Sequence, residues 1–492
     1  MKKRRPLAVL PEHKHAVNRI IISILFATTC GGLSETPARH WAFQSVRQQA
    51  VPKVQNQLWA KTPVDRFILA GLESAGIALA PSANREQLIR RVTFGLLGLP
   101  PTPEEIDAFV SDRSPAAFDR LVDRLLASPR YGERWARHWL DLARYAESDG
   151  FEHDAVRPHS WRYRDYVIQS FNADKPYDRF LREQIAGDEL WPDSPEALTA
   201  TAFNLLGPDM VDSADQVQRR INTLNDMTDV SASVFLGLTL GCARCHHHKF
   251  EPLTQRDWLA GEFVAQGWSI KAMHRLILRS TAYQQSSEAL PEALERDPEN
   301  KLFSRQNRVR LEGEAIRDSL LAVSGRLNPT MFGPSVLPPL PADLATSAKN
   351  WTASSLAADH ARRSIYVFAR RNLRFPFFEV FDAPDNNVTC PERGRSVTAP
   401  QALTLLNSEE VLTAAGAAAT RVMQEASSTD QRIGRAFQRA LGRAPTPSER
   451  EKSRLFLREH RGGNQPPTQP AQTEFTALCR ALFNLNAFVF VE

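Results

Sequence analysis

Apolar residues recur at three- and four-residue steps along most of this chain, and this periodicity constrains its fold more than any other feature. The segments 64–72 and 88–97 are early examples, and residues 430–492 return to the same spacing. Side chains at these steps share one face of an α-helix, so the pattern predicts amphipathic helices that each bury one face. The sequence therefore predicts a mainly α, multi-helix fold with little strand.

The segment 98–105 predicts the end of one helix and the start of another. Thr102 stands at the N-cap, Pro103 at the first helical position and Glu105 at the third, which together form a capping box. The segment 441–449 carries the same residue types in the same order. An internal repeat of a helix-loop-helix unit explains this similarity, and so does independent use of good capping residues.

Two segments do not follow the helical pattern, and a third follows it almost to Cys242. Residues 364–369 are the best strand candidate, and the proline-rich residues 328–341 predict a linker or an irregular surface excursion. Residues 216–240 keep helical spacing, so we expect a buried helix there that ends at Gly241.

Length and composition narrow the class of protein. A chain of 492 residues predicts two or three packed units, and 42% hydrophobic with 24% charged residues excludes a disordered, collagenous or polytopic membrane protein. The net charge of +5 is small for this length, so we expect no nucleic-acid partner. Five cysteines are too few for a disulfide framework.

The N-terminus has the pattern of a secretory signal. Four basic residues at positions 2–5 precede an apolar run at 20–27 and small residues at 28–32. This run is shorter than the ~20 residues needed to cross a bilayer. We therefore expect residues 1–38 to be a removed signal peptide, with export to the periplasm or the outside and no stable membrane anchor afterwards.

Cys242, Cys245 and His246 form a CxxCH motif. Two thiols at this spacing can each add to a vinyl group of one haem, and the adjoining histidine supplies an axial nitrogen. We therefore predict haem c at this motif. A zinc site that uses Cys242, Cys245 and His246 or His248, and a simple disulfide turn, are the alternatives.

The opposite axial position of such a haem has no clear candidate. His247 and His248 are too tightly tethered to His246 to reach the other face. Met227 and His274, like the neighbouring Met273, fit structural roles better. We therefore predict a weakly ligated or five-coordinate, largely high-spin iron.

An acidic constellation lies upstream of the motif, among several aromatic residues. Its members are Glu147, Asp149, Glu152, His153 and Asp154. Carboxylates beside aromatic rings could hold a sugar, and alternating acids could bind calcium, although the spacing does not fit an EF-hand. The simpler interpretation is an acidic loop that pairs with Arg157, Arg162 and Arg164. Similarly, Arg370, Arg371 and Arg374 near Glu379, Asp382 and Asp385 favour an ion-pair network over an anion site.

Several long motifs resemble the large secreted planctomycete cytochrome-like proteins. The segments 144–154, 161–165 and 242–250 resemble the first of two consecutive domains of unknown function in that family, and 268–277, 310–318 and 395–403 are similar to the second. The resemblance implies a first domain at 39–257, which carries the CxxCH motif, and a helical second domain at 258–492. It implies no established reaction.

The chain departs from this family in three places. We expect the N-terminal cytochrome c-like domain that often precedes the pair to be absent, because Trp41 follows almost directly after the expected signal. The resemblance also implies that a long family segment is missing between Asp257 and Trp258, and position 247 is His where the family commonly has Asp. A reduced or inactive relative would show these features.

The sequence thus predicts an extracytoplasmic c-type haem-binding protein in electron transfer or redox chemistry, served by a redox partner protein. The alternatives are a secreted non-redox enzyme or glycan-binding protein that uses the acidic loop, and a structural protein with a zinc- or disulfide-stapled turn. The sequence does not fix the oligomeric state.

Overall fold

The structure is a computed structural model, and it describes residues 50–211, 213–237, 262–345, 348, 350–460 and 470–492. Helices dominate these residues, which confirms the predicted mainly α fold. In the described ranges, the single sheet pairs β1 (Val309–Arg310) with β2 (Phe490–Val491) antiparallel. The predicted signal peptide lies outside the described residues.

The first core is built from helices of the N-terminal half. In chain order the helices of this half are α1 Pro63–Ala75, α2 Arg85–Leu97, α3 Pro103–Ser111, α4 Ala117–Ala127, α5 Arg130–Leu142, α6 Trp161–Asn172, α7 Tyr177–Leu190, α8 Pro195–Ala200 and α9 Gln216–Ser231. Helix α1 packs in two smaller apolar clusters outside this core. A 3₁₀ turn at Thr201–Leu205 links α8 to the segment before α9. Helices α2 to α6 supply most of the buried apolar side chains.

The second core is built from helices of the C-terminal half. The remaining helices are α10 Ile270–Leu278, α11 Pro291–Arg296, α12 Gly313–Ser324, α13 Ala342–Ala345, α14 Pro376–Val380, α15 Ala399–Asn407, α16 Glu409–Glu425, α17 Thr429–Leu441, α18 Pro447–Glu459, α19 Pro470–Phe483 and α20 Asn486–Val489. Of these, α10 packs on the first core and α11 packs against α1, and helices from α12 onward build the second core. Alanines on one face of α16 are fully buried, which lets α12 and α19 pack closely against it.

The two capping devices expected from the sequence are confirmed. Gly98 ends α2 and Gly442 ends α17, each in the left-handed conformation, with φ of 66° and 73°. Thr102 then caps α3 and Thr446 caps α18, each with a complete capping box. The similarity extends upstream, because α2 and α17 are both 13 residues long and both begin with a capping box of their own.

The two cores exchange side chains. Phe94 of α2 lies in the second core, whereas Ile365 and Tyr366 lie in the first. Leu278 of α10 also packs into the first core. The two halves of the chain therefore share one interlocked interior.

The predicted strand at 364–369 is wrong. Residues Ser364–Tyr366 form a 3₁₀ turn, and Val367 makes only an isolated bridge with Val336. The amide of Ser364 donates to a carboxylate oxygen of Asp318 at 2.8 Å instead of to a strand. A local apolar, β-branched pattern could not reveal this distant acceptor.

Within the described ranges, we find no helix with the length and apolar character needed to span a membrane.

Candidate functional site

The CxxCH motif lies between two described parts of the chain. Cys242, Cys245, His246 and His248 themselves lie outside the described residues. The described chain stops at Gly237 and continues at Glu262.

Both flanks of the motif contact one aromatic cluster. On the N-terminal side, the ring of Phe235 lies 6.4 Å from Trp139 and 4.9 Å from Phe203. On the C-terminal side, Phe263 lies 5.6 Å from Tyr177, whose ring in turn lies 6.1 Å from Trp139. Phe235 and Phe263, on the two sides of residues 238–261, thus pack on the same apolar wall.

The cluster is rigidly held at its centre. The indole nitrogen of Trp139 donates to the side-chain oxygen of Gln184 at 2.8 Å and to the hydroxyl of Tyr163 at 3.0 Å. Phe180 packs edge-on against the same indole at 4.8 Å. Because its polar atom is satisfied internally, Trp139 presents only apolar ring surface to its other neighbours.

The helix before the motif differs from the expected buried helix. Helix α9 ends at Ser231, and a π-helical turn at Ala232–Leu236 follows before Gly237 adopts a left-handed conformation with φ of 64°. Only Val230 of α9 is buried. Periodicity correctly indicated a helix, but it could not indicate which face would be covered.

The apolar stripe of α9 is exposed to solvent. The exposed fractions are 73% for Val217 and 45% each for Ile221 and Leu224. The expectation that these side chains are buried is therefore wrong for the N-terminal half of the helix.

The acidic loop is tied to the fold by arginines. Asp149 accepts from Arg157, and Asp154 accepts from Arg370 at 2.8 Å and from the amide of Gly150 at 2.8 Å. These contacts give two of the predicted carboxylates a structural role.

The remaining members of the acidic constellation differ in how far they are buried. Glu147 is buried, and its carboxylate accepts from Ser335 and lies 4.0 Å from Arg164. Burial raises the pKa of Glu147, although Arg164 opposes this effect. Glu152 and His153 are exposed. The structure therefore does not gather the five side chains around one point.

The predicted partners of the loop are present only in part. Arg157 pairs with Asp149 as expected, and Arg164 lies near Glu147 but bonds mainly Asp165. Arg162 instead lies over the ring of Trp161, 5.3 Å from its centroid. No group of three or more His, Cys, Asp and Glu side chains suited to a metal occurs among the described residues.

The arginines at positions 370, 371 and 374 were predicted to form an ion-pair network, and two of them join the two halves of the chain. Arg374 pairs with Glu379 as the sequence indicated, but Arg370 reaches Asp154 in the acidic loop. Arg371 is buried and donates to the backbone carbonyls of Ser148, Arg144 and Leu206, so it clamps the same loop without a carboxylate partner. Burial, with help from nearby arginines, lowers the pKa of Arg371 to about 9.

A buried ionic cluster that sequence reasoning missed lies at the interface of the cores. Arg363 donates to Glu133 at 2.9 Å and to Asp318 at 2.9 Å, and the hydroxyl of Tyr366 donates to Glu133 at 2.8 Å. None of these side chains is more than about 5% exposed. Glu133 and Arg363 are far apart in sequence, and no local pattern links them.

A second buried cluster lies beside the first. Arg393 donates to Asp141 at 2.7 Å and to Glu314 at 2.8 Å, and Arg134 donates to Glu312 at 2.6 Å. Together the two clusters form an ionic band, defined here as Glu133, Arg134, Asp141, Glu312, Glu314, Asp318, Arg363 and Arg393. The band joins α5 to residues of the second half.

Two histidines flank one indole ring on α5. The ring of Trp135 lies 4.0 Å from His274 and 5.2 Å from His138. The Nδ1 atom of His274 is hydrogen-bonded to the hydroxyl of Tyr131 at 2.9 Å. Burial lowers the pKa of both His138 and His274 to about 4, so both rings are neutral at pH 7.

Two family models match the chain. Residues 63–266 match PSCyt2, a protein of unknown function (DUF1549), and residues 256–457 match PSD1, a protein of unknown function (DUF1553). The two matches support a paired-domain family of this kind. No curated protein and no solved structure matches the chain.

Proposed function

We propose that this paired-domain chain is an extracytoplasmic c-type haem protein of electron transfer or redox chemistry. Cys242 and Cys245 would carry the haem through two thioethers, and His246 would supply the axial nitrogen. When bound, the haem supplies one-electron redox chemistry.

The aromatic cluster at both flanks of the motif is the observation that carries this proposal. Cys242 follows Gly237 by five residues, so it can lie at most about 18 Å from that residue. A haem attached within this reach needs an apolar surface against its macrocycle. Phe235, Phe263 and Tyr177 offer such a surface, held in place by Trp139.

Zinc binding and a disulfide are the competing uses of the same cysteines. Neither use calls for an aromatic wall beside the motif, whereas a haem edge does. Asp149 and Asp154 of the acidic loop are each paired with an arginine, which favours a structural role for the loop over sugar or calcium binding.

The test is covalent attachment in the exported protein. We expect the full chain, expressed with a cytochrome c maturation system, to gain the mass of one haem and to give a c-type pyridine haemochrome spectrum. Cys242→Ala and Cys245→Ala should each abolish double attachment. Cys390→Ala is the matched control, because Cys390 lies half-buried in another part of the chain and should leave attachment intact.

An unmodified peptide around Arg244 after maturation would overturn the proposal. Stoichiometric zinc in that sample would then assign the cysteines to a metal site, and a Cys242–Cys245 disulfide would assign them to a stapled turn.

A further inference from the structure

A cavity of about 480 Å³ lies between the two helix-loop-helix units, α2–α3 and α17–α18. Both halves of the chain line it: Ile106 and Val110 of α3 stand on one side, and residues of α17 and α18 stand on the other. Cavities of about 300 to 1,000 Å³ are typical binding sites for small organic ligands. This cavity is separate from the aromatic cluster at the CxxCH motif, because the two share no residue.

One face of α17 forms a wall of the cavity. Gln431 stands three residues before Gly434 and four before Arg435, and Gln438 follows these two by four and three residues. Residues at such steps share one face of a helix. The cavity therefore lies along about two turns of α17.

Gly434 leaves open space in this wall. It stands in the interior of α17, where glycine is less favourable than alanine. No heavy atom lies within 4 Å of the place that its Cβ atom would occupy, so packing within the described residues does not require glycine here. The missing side chain instead opens the cavity down to the helix backbone, as glycine does where a ligand comes close to the main chain.

Two half-buried arginines of the cavity form no ion pair with any described residue. Arg435 donates to the side-chain oxygen of Gln438 at 2.8 Å, and Arg450 donates to the backbone carbonyl of Asp430 at 3.2 Å. Each guanidinium carries five N–H donors, so most of these donors are left for a ligand. Guanidinium groups bind carboxylates and phosphates through pairs of such donors.

Three carboxylates also line the cavity, and each is stabilised by a group other than these two arginines. Glu425 pairs with Arg439, and Asp107 accepts from a glutamine amide of α17 at 2.9 Å. Glu86 lies in the first turn of α2, where the helix dipole favours a negative charge. These acids therefore need no further cation, but their remaining oxygen lone pairs can accept from hydroxyl groups.

We propose that this cavity binds a small hydroxylated organic anion. Arg435 and Arg450 hold its oxyanion group, and its carbon skeleton lies against α3 and the open backbone at Gly434. Its hydroxyl groups donate to Asp107 and Glu86. Among the described residues that line the cavity none is aromatic, so hydrogen bonds rather than ring stacking select the ligand. The proposal does not depend on the haem.

The test is isothermal titration calorimetry of the full exported chain with three probes of similar size. Glucuronate carries a carboxylate, glucose 6-phosphate carries a phosphate, and glucose is the neutral probe. We expect at least one of the two anions to bind at least about 10-fold more tightly than glucose, and the tighter anion identifies the oxyanion group.

Two arginine variants test the assigned contacts. Arg435→Met should weaken binding of that anion at least about 10-fold, because a charged hydrogen-bond donor is lost. Arg458→Met is the control, since Arg458 is exposed on α18 outside the cavity, and it should leave binding unchanged. Equal weakening by both variants would show an effect of net charge alone and would overturn the proposal.

A glycine variant blocks the cavity without loosening the fold. Gly434→Leu should abolish binding without lowering the melting temperature, because leucine favours a helix more than glycine does. Gly416→Leu is the matched control: Gly416 lies inside α16, also with open space at its Cβ position, but outside the cavity. It should keep binding intact.

Three results would overturn the proposal. The first is that no probe binds at millimolar concentration. The second is that glucose binds as tightly as both anions. The third is that Gly434→Leu binds the anion as tightly as Gly416→Leu does.

Discussion

Individual buried arginines form ion pairs that join the two halves of this molecule, and Arg393 is the clearest case. Its side chain is 9% exposed and bonds Asp141 and Glu314 together. Burial acts to raise the pKa of both carboxyls, but Arg393 and Arg137 outweigh it, so both pKa values lie below their usual range. A carboxyl of this kind stabilises the fold above its unfolded pKa of about 4, and this contribution is lost as the pH falls through its folded pKa.

Replacing Arg393 should therefore be costly and should change the pH dependence of stability. Arg393→Met leaves Asp141 and Glu314 buried with less compensation, so we expect a loss of about 3–5 kcal/mol in the free energy of unfolding at pH 7. The pKa values of these carboxyls should rise in the variant. The loss should consequently shrink as the pH is lowered from 7 to 5, which denaturant titrations at several pH values can measure.

Arg454→Met is the control for that experiment, because Arg454 pairs with Asp430 at the surface of α18. We expect little change in stability at any of these pH values. An Arg393→Met deficit that stays constant from pH 7 to 5 would contradict the assigned role of the two carboxyls.

His274 bears on the coordination of the proposed haem. Its Nδ1 atom is hydrogen-bonded to the hydroxyl of Tyr131, and its ring lies 4.0 Å from that of Trp135, tilted by 41°. We expect the ferric haem protein to be largely high-spin and to take up small ligands readily, and His274→Ala to leave its absorption and magnetic spectra unchanged. A low-spin signature that disappears in His274→Ala or Met227→Ala would show that the distal position is filled by that side chain.

At the level of elements, the sequence predicted where helices stop and start better than which of their faces are buried. The boundaries around Gly98 and Gly442 follow from local chemistry, since capping depends on residues three or four positions apart. The exposed stripe at Val217 and the turn at Ser364–Tyr366 follow from tertiary contacts. A local sequence pattern does not show which face of a helix is buried, and it does not show which distant atom accepts a hydrogen bond.

The cap at Thr446 can be tested directly. Its hydroxyl accepts from the amide of Glu449, and its own amide donates to the Glu449 carboxylate at 2.8 Å. Thr446→Ala should lower the free energy of unfolding by about 1 kcal/mol, because the amide of Glu449 loses its hydroxyl acceptor at the start of the helix. Ser448→Ala, an exposed change in the first turn of the same helix, should cause no loss; equal effects of both variants in denaturant titrations would contradict a specific cap.

At the level of the whole molecule, the mainly helical character was predictable and the joining of the halves was not. The ionic band links Glu133 to Arg363 and Asp141 to Arg393, residues that no spacing rule connects. The acidic loop was recognised from its composition, yet its partner Arg370 comes from the other half of the chain. The CxxCH motif, in contrast, is local, so the sequence alone supplied the haem hypothesis.

The interlocked cores predict cooperative unfolding. Phe94 from the first half is 3% exposed in the second core, so Phe94→Ala should cost about 3–5 kcal/mol. In calorimetry we expect one transition for the unmodified chain, and one transition at lower temperature for this variant. Leu58→Ala, at a 95% exposed position, should leave the transition in place. Two resolved transitions in the unmodified chain would contradict a shared interior.

The attachment of both flanks of segment 238–261 to one aromatic wall has a consequence for how this chain tolerates changes in length. Phe235 and Phe263 fix the two exits, so the rest of the fold does not need to move when the connection between them grows or shrinks. The free-energy cost of joining two fixed points of a chain rises only by about 0.6 kcal/mol for each doubling of the length between them. This place is therefore a natural insertion point, where whole modules can be gained or lost during evolution, or added by design, at small thermodynamic cost.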